Sequence, residues 1–176
     1  MIVHRNQDAV EFRFSLLEKM VLERALTTVA KNYKINPAEL DEHAAAVWYS
    51  PAGCRSAQMS AEETSDWLKQ LQSLRMGRVA VLEECLRQLN EKREESPIKM
   101  EIGREQADSL MTAINDHRLL VAAHHNIGEA EMNMRTLASI STLPPSQQTA
   151  LFEIEFLAYL IDELVQLLSE PAGSPD

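Results

Sequence analysis

Hydrophobic and polar positions change their period several times along the chain, and each change predicts a new element. Residues 10–14 and residues 98–102 alternate apolar and charged side chains, which is the two-residue period of a half-buried β-strand. A single strand cannot satisfy its own backbone hydrogen bonds, so each of these segments needs a partner. We therefore predict that residues 10–14 pair with residues 98–102 as a two-stranded ribbon.

Apolar side chains at steps of three and four predict helices over most of the remaining chain. Several of the predicted starts carry a capping pattern, in which Ser or Asn is followed three residues later by Glu. The predicted helices cover about residues 15–33, 36–46, 60–94, 103–121, a short segment from 127, and 146–169. Gly77 lies inside the third of them and is a candidate for a bend or a close helix contact.

The fold class expected from these elements is all-α, a mainly helical bundle of about five to six helices with the short ribbon. Only five glycines occur in 176 residues, which disfavours sandwiches, barrels and phosphate-cradling loops. The length suits a single helical domain over residues 1–176. We expect residues 170–176 to be a flexible tail.

The chain also resembles itself. A shift of 88 residues places residues 10–14 over residues 98–102, and it places Leu22 over Leu110. The pattern predicts an internal repeat of about residues 9–95 and 97–169, each half beginning with a strand and a long helix. The alternative is that helical segments look alike by chance, and the sequence leaves both interpretations open.

The net charge of the chain and the placement of its charged residues limit the kinds of partner that we expect. The chain carries 17 Lys and Arg against 27 Asp and Glu, a formal net charge of −10, and no Lys, Arg or His follows Arg135. Clustered basic residues are what binds phosphate, so we expect no nucleic-acid partner. The most apolar stretch, residues 151–168, contains four acids, so we expect no membrane span. With no secretory signal and no cysteine framework, the sequence predicts a cytoplasmic location.

No catalytic or cofactor motif is present. His117 and His124 are two helical turns apart, about 10 Å along the axis, which is too far to chelate one ion together. The sequence also lacks HExxH and GxSxG motifs. We therefore predict no catalytic residues, no cofactor and no metal, and we expect that the protein is not an enzyme.

One polar cluster interrupts an otherwise packed helix: Asn115, Asp116, His117 and Arg118. In one interpretation Asp116 and Arg118 form structural ion pairs with neighbouring helices, and His117 is a hydrogen-bonded core residue. In the other, the cluster is the floor of a polar pocket. The pocket interpretation requires Asp116, His117 and Arg118 to line one accessible cavity.

Two segments are candidates for a protein interface. The predicted final helix is apolar almost all round, which is typical of a central core helix or of one that also forms an interface. Its candidate interface residues are Phe152, Phe156 and Tyr159. Trp48 and Tyr49 form the second candidate, because aromatic residues are enriched in interface anchors. The alternative is that these two rings fold onto the domain's own core.

Residues 114–133 resemble a bacterial family that is catalogued as a domain of unknown function. Asn115, Asp116, Arg118 and Leu119 match its Asn-Asp-x-Arg-Leu stretch, Ile127 matches its short-helix start, and Leu160, Leu164 and Val165 match its C-terminal helix. The segment around His124 and His125 departs from the family, whose members tend to have Gly and Arg there. Members are small, acidic, mainly helical cytosolic proteins, often encoded near the adaptor of a Clp-type protease.

The resemblance implies a role in protein–protein interaction that is accessory to regulated proteolysis, and we expect a homodimer. One alternative is a small-molecule-binding protein or hydrolase with a polar pocket around Asp116, His117 and Arg118. Another is a transcription-associated regulator, which the net charge disfavours.

Overall fold

The computed structural model describes residues 1–5, 8–49, 59–91, 97–134 and 136–169. Its strands are β1 (Ile2–Arg5), β2 (Ala9–Phe14) and β3 (Ile98–Gly103). Its helices are α1 (Leu16–Tyr33), a 3-10 turn (Pro37–Glu39), α2 (Glu42–Trp48), α3 (Ala61–Met76), α4 (Val79–Glu91), α5 (Arg104–His125), α6 (Glu129–Met132), α7 (Leu137–Ile140) and α8 (Pro145–Ser169). The mainly helical fold that the sequence predicted is confirmed.

The predicted ribbon is present. β2 and β3 pair antiparallel, with Val10 opposite Ile102 and Phe14 opposite Ile98. The ribbon is not two-stranded, however, because β1 pairs with the other edge of β2 to give the order β1-β2-β3. β1 has only four residues and no clear alternation, so its sequence gave little signal. Alternate β2 side chains point into the core, which anchors the sheet to the helices.

The capping patterns form as predicted at two helix starts. At α1 the Ser15 hydroxyl accepts from the Glu18 N–H, and the Glu18 carboxylate accepts from the Ser15 N–H at 2.8 Å. Ser60 and Glu63 form the same box at α3. At α5 the Gln106 side chain accepts from the Gly103 N–H, at 3.1 Å, so α5 has half of a box. These bonds satisfy N–H groups that a helix start otherwise leaves without partners.

Two predicted helices are divided. The helix expected over residues 60–94 breaks at Gly77 and Arg78 into α3 and α4, and residues 92–94 lie outside the described part. α4 buries residues in the core, whereas α3 has no fully buried residue. One straight helix would not place one segment in the core and the other at the edge of the fold. The helix expected over residues 36–46 becomes a 3-10 turn and α2, because Asp41 caps α2 by accepting from His43 N and Ala44 N.

The core lies between the sheet and the helices α1, α4, α5 and α8. α5 and α8 pack against each other more extensively than any other helix pair of the described chain. Each half begins with a strand followed by a long helix, which is the order that the repeat requires; the repeat over residues 9–95 and 97–169 stays a prediction. The expected tail at 170–176 lies outside the described residues. α6 follows the predicted start near 127, and α7 was not predicted.

None of the described helices is both long and apolar enough to cross a lipid bilayer.

Candidate functional site

The four residues of the polar cluster lie near the middle of α5, but their side chains point toward different parts of the structure. Successive residues of a helix point about 100° apart, so a run of four cannot share one contact surface. Asn115 is exposed, Asp116 and His117 are buried, and Arg118 is half-buried. The cluster is therefore three separate sites on one helix rather than the floor of one pocket.

Asp116 joins α5 to three other helices. Its Oδ2 atom accepts a hydrogen bond from the Tyr33 hydroxyl at 2.8 Å and another from Arg75 Nε at 3.0 Å. The Trp48 indole N–H donates to the Asp116 backbone oxygen at 3.0 Å. Burial, together with the neighbouring Asp116 carboxylate, raises the pKa of the Tyr33 hydroxyl. Asp116 and Arg75 thus form a largely buried ion pair between α5 and α3, and the structural role that one of the two interpretations gives to Asp116 stays a prediction.

The Arg75 guanidinium lies among aromatic rings as well as on the Asp116 carboxylate. Its central carbon is 4.9 Å from the centroid of the Tyr49 ring, and within about 6 Å of the rings of Tyr33 and Trp48. Stacking of a guanidinium on aromatic faces is favourable and holds the group in a fixed orientation. Arg75 thus connects α3 to the core although α3 itself is peripheral.

Trp48 and Tyr49 are core residues in this structure, with 3% and 6% of their surface exposed. The expectation that they anchor an interface is wrong for the chain as folded, because the Trp48 ring packs edge-on against Tyr33 and its N–H is used within the domain. Their neighbours at residues 50–58 lie outside the described part.

His117 points to the other side of α5, toward α8 and α1. Its Nε2 atom lies 2.9 Å from Glu153 Oε1, and the second oxygen of Glu153 accepts from Arg24 Nη2. Burial alone would raise the pKa of Glu153, but the His117 hydrogen bond and the Arg24 charge outweigh it, so the pKa lies below its ordinary value. An ionised carboxylate only accepts, so Nε2 of His117 carries the proton. The three residues form a network that crosses from α1 to α8 to α5.

A cavity of about 370 Å³ opens beside this network. Its wall combines basic, hydroxyl and apolar side chains, among them Arg24, Thr28, His117, Leu120, Val121 and Thr149. Asp116 and Arg118 are not among the described residues that line it. The polar-pocket alternative therefore retains only His117 from the predicted cluster.

Arg118 lies on the face of α5 toward α8. Its Nε atom is buried and has no hydrogen-bond partner among the described residues. Burial lowers the pKa of this guanidinium, while the charges of Glu155 and Asp162 act in the opposite direction. The two acids on α8 are thus the charged groups that face Arg118.

A second histidine pair stands at the C-terminal end of α5. The rings of His124 and His43 lie 4.5 Å apart between centroids, and His124 Nε2 is 3.3 Å from Asp41 Oδ1. These groups are largely exposed. Across the described residues, no three His, Cys, Asp or Glu side chains are grouped so that they could hold a metal ion.

The sequence missed Glu153, Tyr33 and Arg75, which contact residues of the predicted cluster, and Arg24, which binds Glu153. Glu153 carried a signal, because it is an acid one turn before Leu157 on the packing face of the most apolar helix. Tyr33 and Arg75 carried no such signal, because they lie 83 and 41 residues from Asp116 along the chain.

Of the α8 interface candidates, Phe152 and Tyr159 are exposed by 59% and 49%. Phe156 is half-buried and packs edge-on against Phe14, with 6.5 Å between ring centroids. Their part in an interface stays a prediction.

Comparisons with known proteins place this architecture in a family. A model of the domain of unknown function DUF2017 matches residues 2–168, from the first strand to the end of α8. No curated protein and no solved structure matches the chain. Because the match covers nearly the whole sequence, the chain belongs to the DUF2017 family.

Proposed function

We propose that this protein acts through contacts with other protein chains, and that a second copy of itself is its first partner. The observation that supports this is an exposed apolar face on two neighbouring helices. We define the apolar face by Leu17 and Met20 of α1 and by Phe152, Phe156 and Tyr159 of α8.

The two helices contribute to one continuous surface. Leu17, Met20 and Thr149 line the same groove between α1 and α8. Phe152 follows Thr149 by one turn of α8, and Phe156 follows by two turns and packs on Phe14, directly before α1. Leu17 is 72% exposed and Met20 57%. Large apolar side chains exposed together are typical of interaction sites.

Charges at the edges of this face favour a self-complementary contact. Glu153, which holds Arg24, and Glu155 point to opposite sides of the Phe152–Phe156 stripe, because helix positions advance by 100° per residue. One edge therefore presents the exposed Arg24 guanidinium, which is paired with the buried Glu153, and the other presents Glu155 and Asp162. In a twofold dimer the same patch faces itself, so Arg24 of one copy can meet Glu155 or Asp162 of the other.

The experiment is sedimentation velocity over a concentration series, with Phe152→Glu as the disrupting variant. Leu74→Glu is the matched control, because Leu74 is also a large exposed apolar residue, at 61%, but lies on α3. The proposal expects a dimer for the native chain and for Leu74→Glu, and a monomer for Phe152→Glu. A native chain that is monomeric throughout, or equal behaviour of the two variants, would overturn it.

The second part of the proposal is that the protein partner belongs to a Clp-type proteolytic system. Its support is the resemblance described above, whose members are often encoded near the protease adaptor. The test is titration of the purified adaptor against the native chain and against Phe152→Glu. Saturable binding that Phe152→Glu weakens and Leu74→Glu does not would support this role, and no binding would reject it.

A further inference from the structure

The cavity beside His117 has the size and position of a ligand site. Its volume of about 370 Å³ is within the range of small-molecule pockets, and it opens between α1, α5 and α8. The inference that follows concerns this cavity and does not rest on the proposed dimer.

The wall of the cavity offers hydrogen-bond donors to an anion. The Arg24 guanidinium has five N–H groups, and its bond to Glu153 uses Nη2. Ser146 lines the same cavity and belongs to the first turn of α8, where the helix dipole favours negative charge. His124 and His125 line it as well, and each imidazole carries an N–H donor.

Among the described residues, Glu153 is the one acid in this wall, and both of its oxygens already have partners. One oxygen of Glu153 bonds to His117 and the other to Arg24. Both interactions stabilise the carboxylate, and because each oxygen already has a partner, Glu153 is a poor ligand for a further cation. Arg24 keeps N–H groups that its bond to Glu153 through Nη2 does not use, which is why the site favours an anion over a cation.

His117 gives an independent indication of a ligand. The residue is only 4% exposed and lines the cavity, yet its Nδ1 atom has no hydrogen-bond partner among the described residues. A buried ring nitrogen without a partner costs free energy unless a polar group reaches it. The Glu153 bond fixes the ring through Nε2, which carries the proton, so Nδ1 is an acceptor. The group that reaches Nδ1 must therefore be a donor, such as a water molecule that also donates to a bound carboxylate.

Part of the cavity wall is apolar. Leu120, Val121 and Ala150 line the cavity beside the polar groups. The groove that contains Leu17, Met20 and Val21 shares the polar residues Arg24, Thr28 and Thr149 with it, so the cavity continues past its polar end into this groove. A ligand with one anionic end and an apolar body satisfies both parts, whereas inorganic phosphate satisfies only one.

We propose that this cavity binds a small organic carboxylate. Arg24 of α1 holds its acidic group beside the first turn of α8, and its apolar body lies on Leu120, Val121 and Ala150. Hexanoate is the probe, 1-hexanol tests the apolar body without the charge, and inorganic phosphate tests the charge without the apolar body.

The experiment is an NMR titration of methyl-labelled native chain. Hexanoate is expected to shift the methyl signals of Leu120, Val121 and Ala150 saturably, and to leave those of the core residues Leu82 and Leu89 unchanged. Arg24→Gln should weaken hexanoate binding at least about tenfold, since a charge-assisted hydrogen bond has that effect. Lys31→Gln is the matched control, a basic residue exposed on the same helix, and should bind as the native chain does.

Several results would overturn the proposal. These are the absence of saturable shifts at the three cavity residues, equal binding of 1-hexanol or of phosphate, and unchanged affinity in Arg24→Gln. Circular dichroism and the NMR spectrum would show whether Arg24→Gln disturbs the fold. In that case Arg24→Lys replaces it as the test variant, because it keeps the positive charge and removes the planar guanidinium. The map of shifted methyls in the native chain then decides the site without any variant.

Discussion

His117 Nε2 lies 2.9 Å from Glu153 Oε1, and this contact joins the middle of α5 to the first half of α8. Arg24 of α1 binds the same carboxylate. Three helices thus meet at one buried acid, which also forms part of the wall of the cavity. The energetics of Glu153 are therefore a direct measure of how the helices are held together.

Replacing Glu153 by Gln is expected to lower the free energy of unfolding at neutral pH by about 1–3 kcal/mol, the range of a hydrogen bond to a charged group. Urea unfolding followed by circular dichroism measures it. The matched control is Glu83→Gln, which removes the exposed ion pair with Lys34 and should change little. A loss for Glu153→Gln no larger than that of the control would contradict the role of Glu153.

The same residue predicts a pH dependence. The pKa of Glu153 is lower in the folded chain than its ordinary value of 4.5, so its ionised form contributes stability above that value. This contribution is lost as the pH falls through the lower folded pKa. Between about pH 5 and pH 3, the native chain should lose more stability than Glu153→Gln. Parallel pH profiles of the two proteins would show that the buried carboxylate is not the cause.

Replacing Asp116 is expected to destabilise the fold more than replacing an exposed acid does. Asp116→Ala leaves Arg75 and Tyr33 without their shared acceptor and should destabilise the fold by about 3 kcal/mol, as loss of one member of a buried pair does. Asp66→Ala removes only the exposed pair with Lys69 and should cost less than about 1 kcal/mol. Chemical denaturation compares the two, and equal losses would contradict a structural role for Asp116.

These contacts define what the sequence could and could not predict. The β2–β3 pairing and the Ser15 and Ser60 caps were predictable, because alternation and capping are local patterns. The partners of Asp116 and His117 were not, because a helix position tells which way a side chain points but not which distant helix it meets. The sequence marked Gly77 for a bend or a close contact, but it did not predict that α3 and α4 are separate helices, since both continue one apolar stripe and only packing separates them.

The two capping boxes are expected to affect different parts of the fold. Ser15→Ala removes the cap of α1, which packs in the core, and should lower global stability by about 1 kcal/mol. Ser60→Ala removes the same cap from α3, which has no fully buried residue, so we expect faster amide exchange within α3 and a smaller global loss. Hydrogen exchange and urea unfolding separate these effects. Equal global losses would show that α3 is as integrated as α1.

Cys85 is expected to resist alkylation in the folded state. Burial raises the pKa of its thiol to about 12, so little thiolate is present at neutral pH and the side chain is inaccessible. In a Cys54→Ser background, mass spectrometry after iodoacetamide treatment should show modification of Cys85 only as fast as the chain unfolds. Rapid modification under native conditions would mean that α4 opens locally.

The proposed function depends on whether the apolar face of α1 and α8 contacts another copy of the chain. The most direct measurement is the sedimentation of the native chain beside Phe152→Glu at equal concentrations. The account predicts a concentration-dependent dimer for the native chain and a monomer of unchanged helicity for the variant. A native chain that sediments as a monomer at every concentration would contradict it.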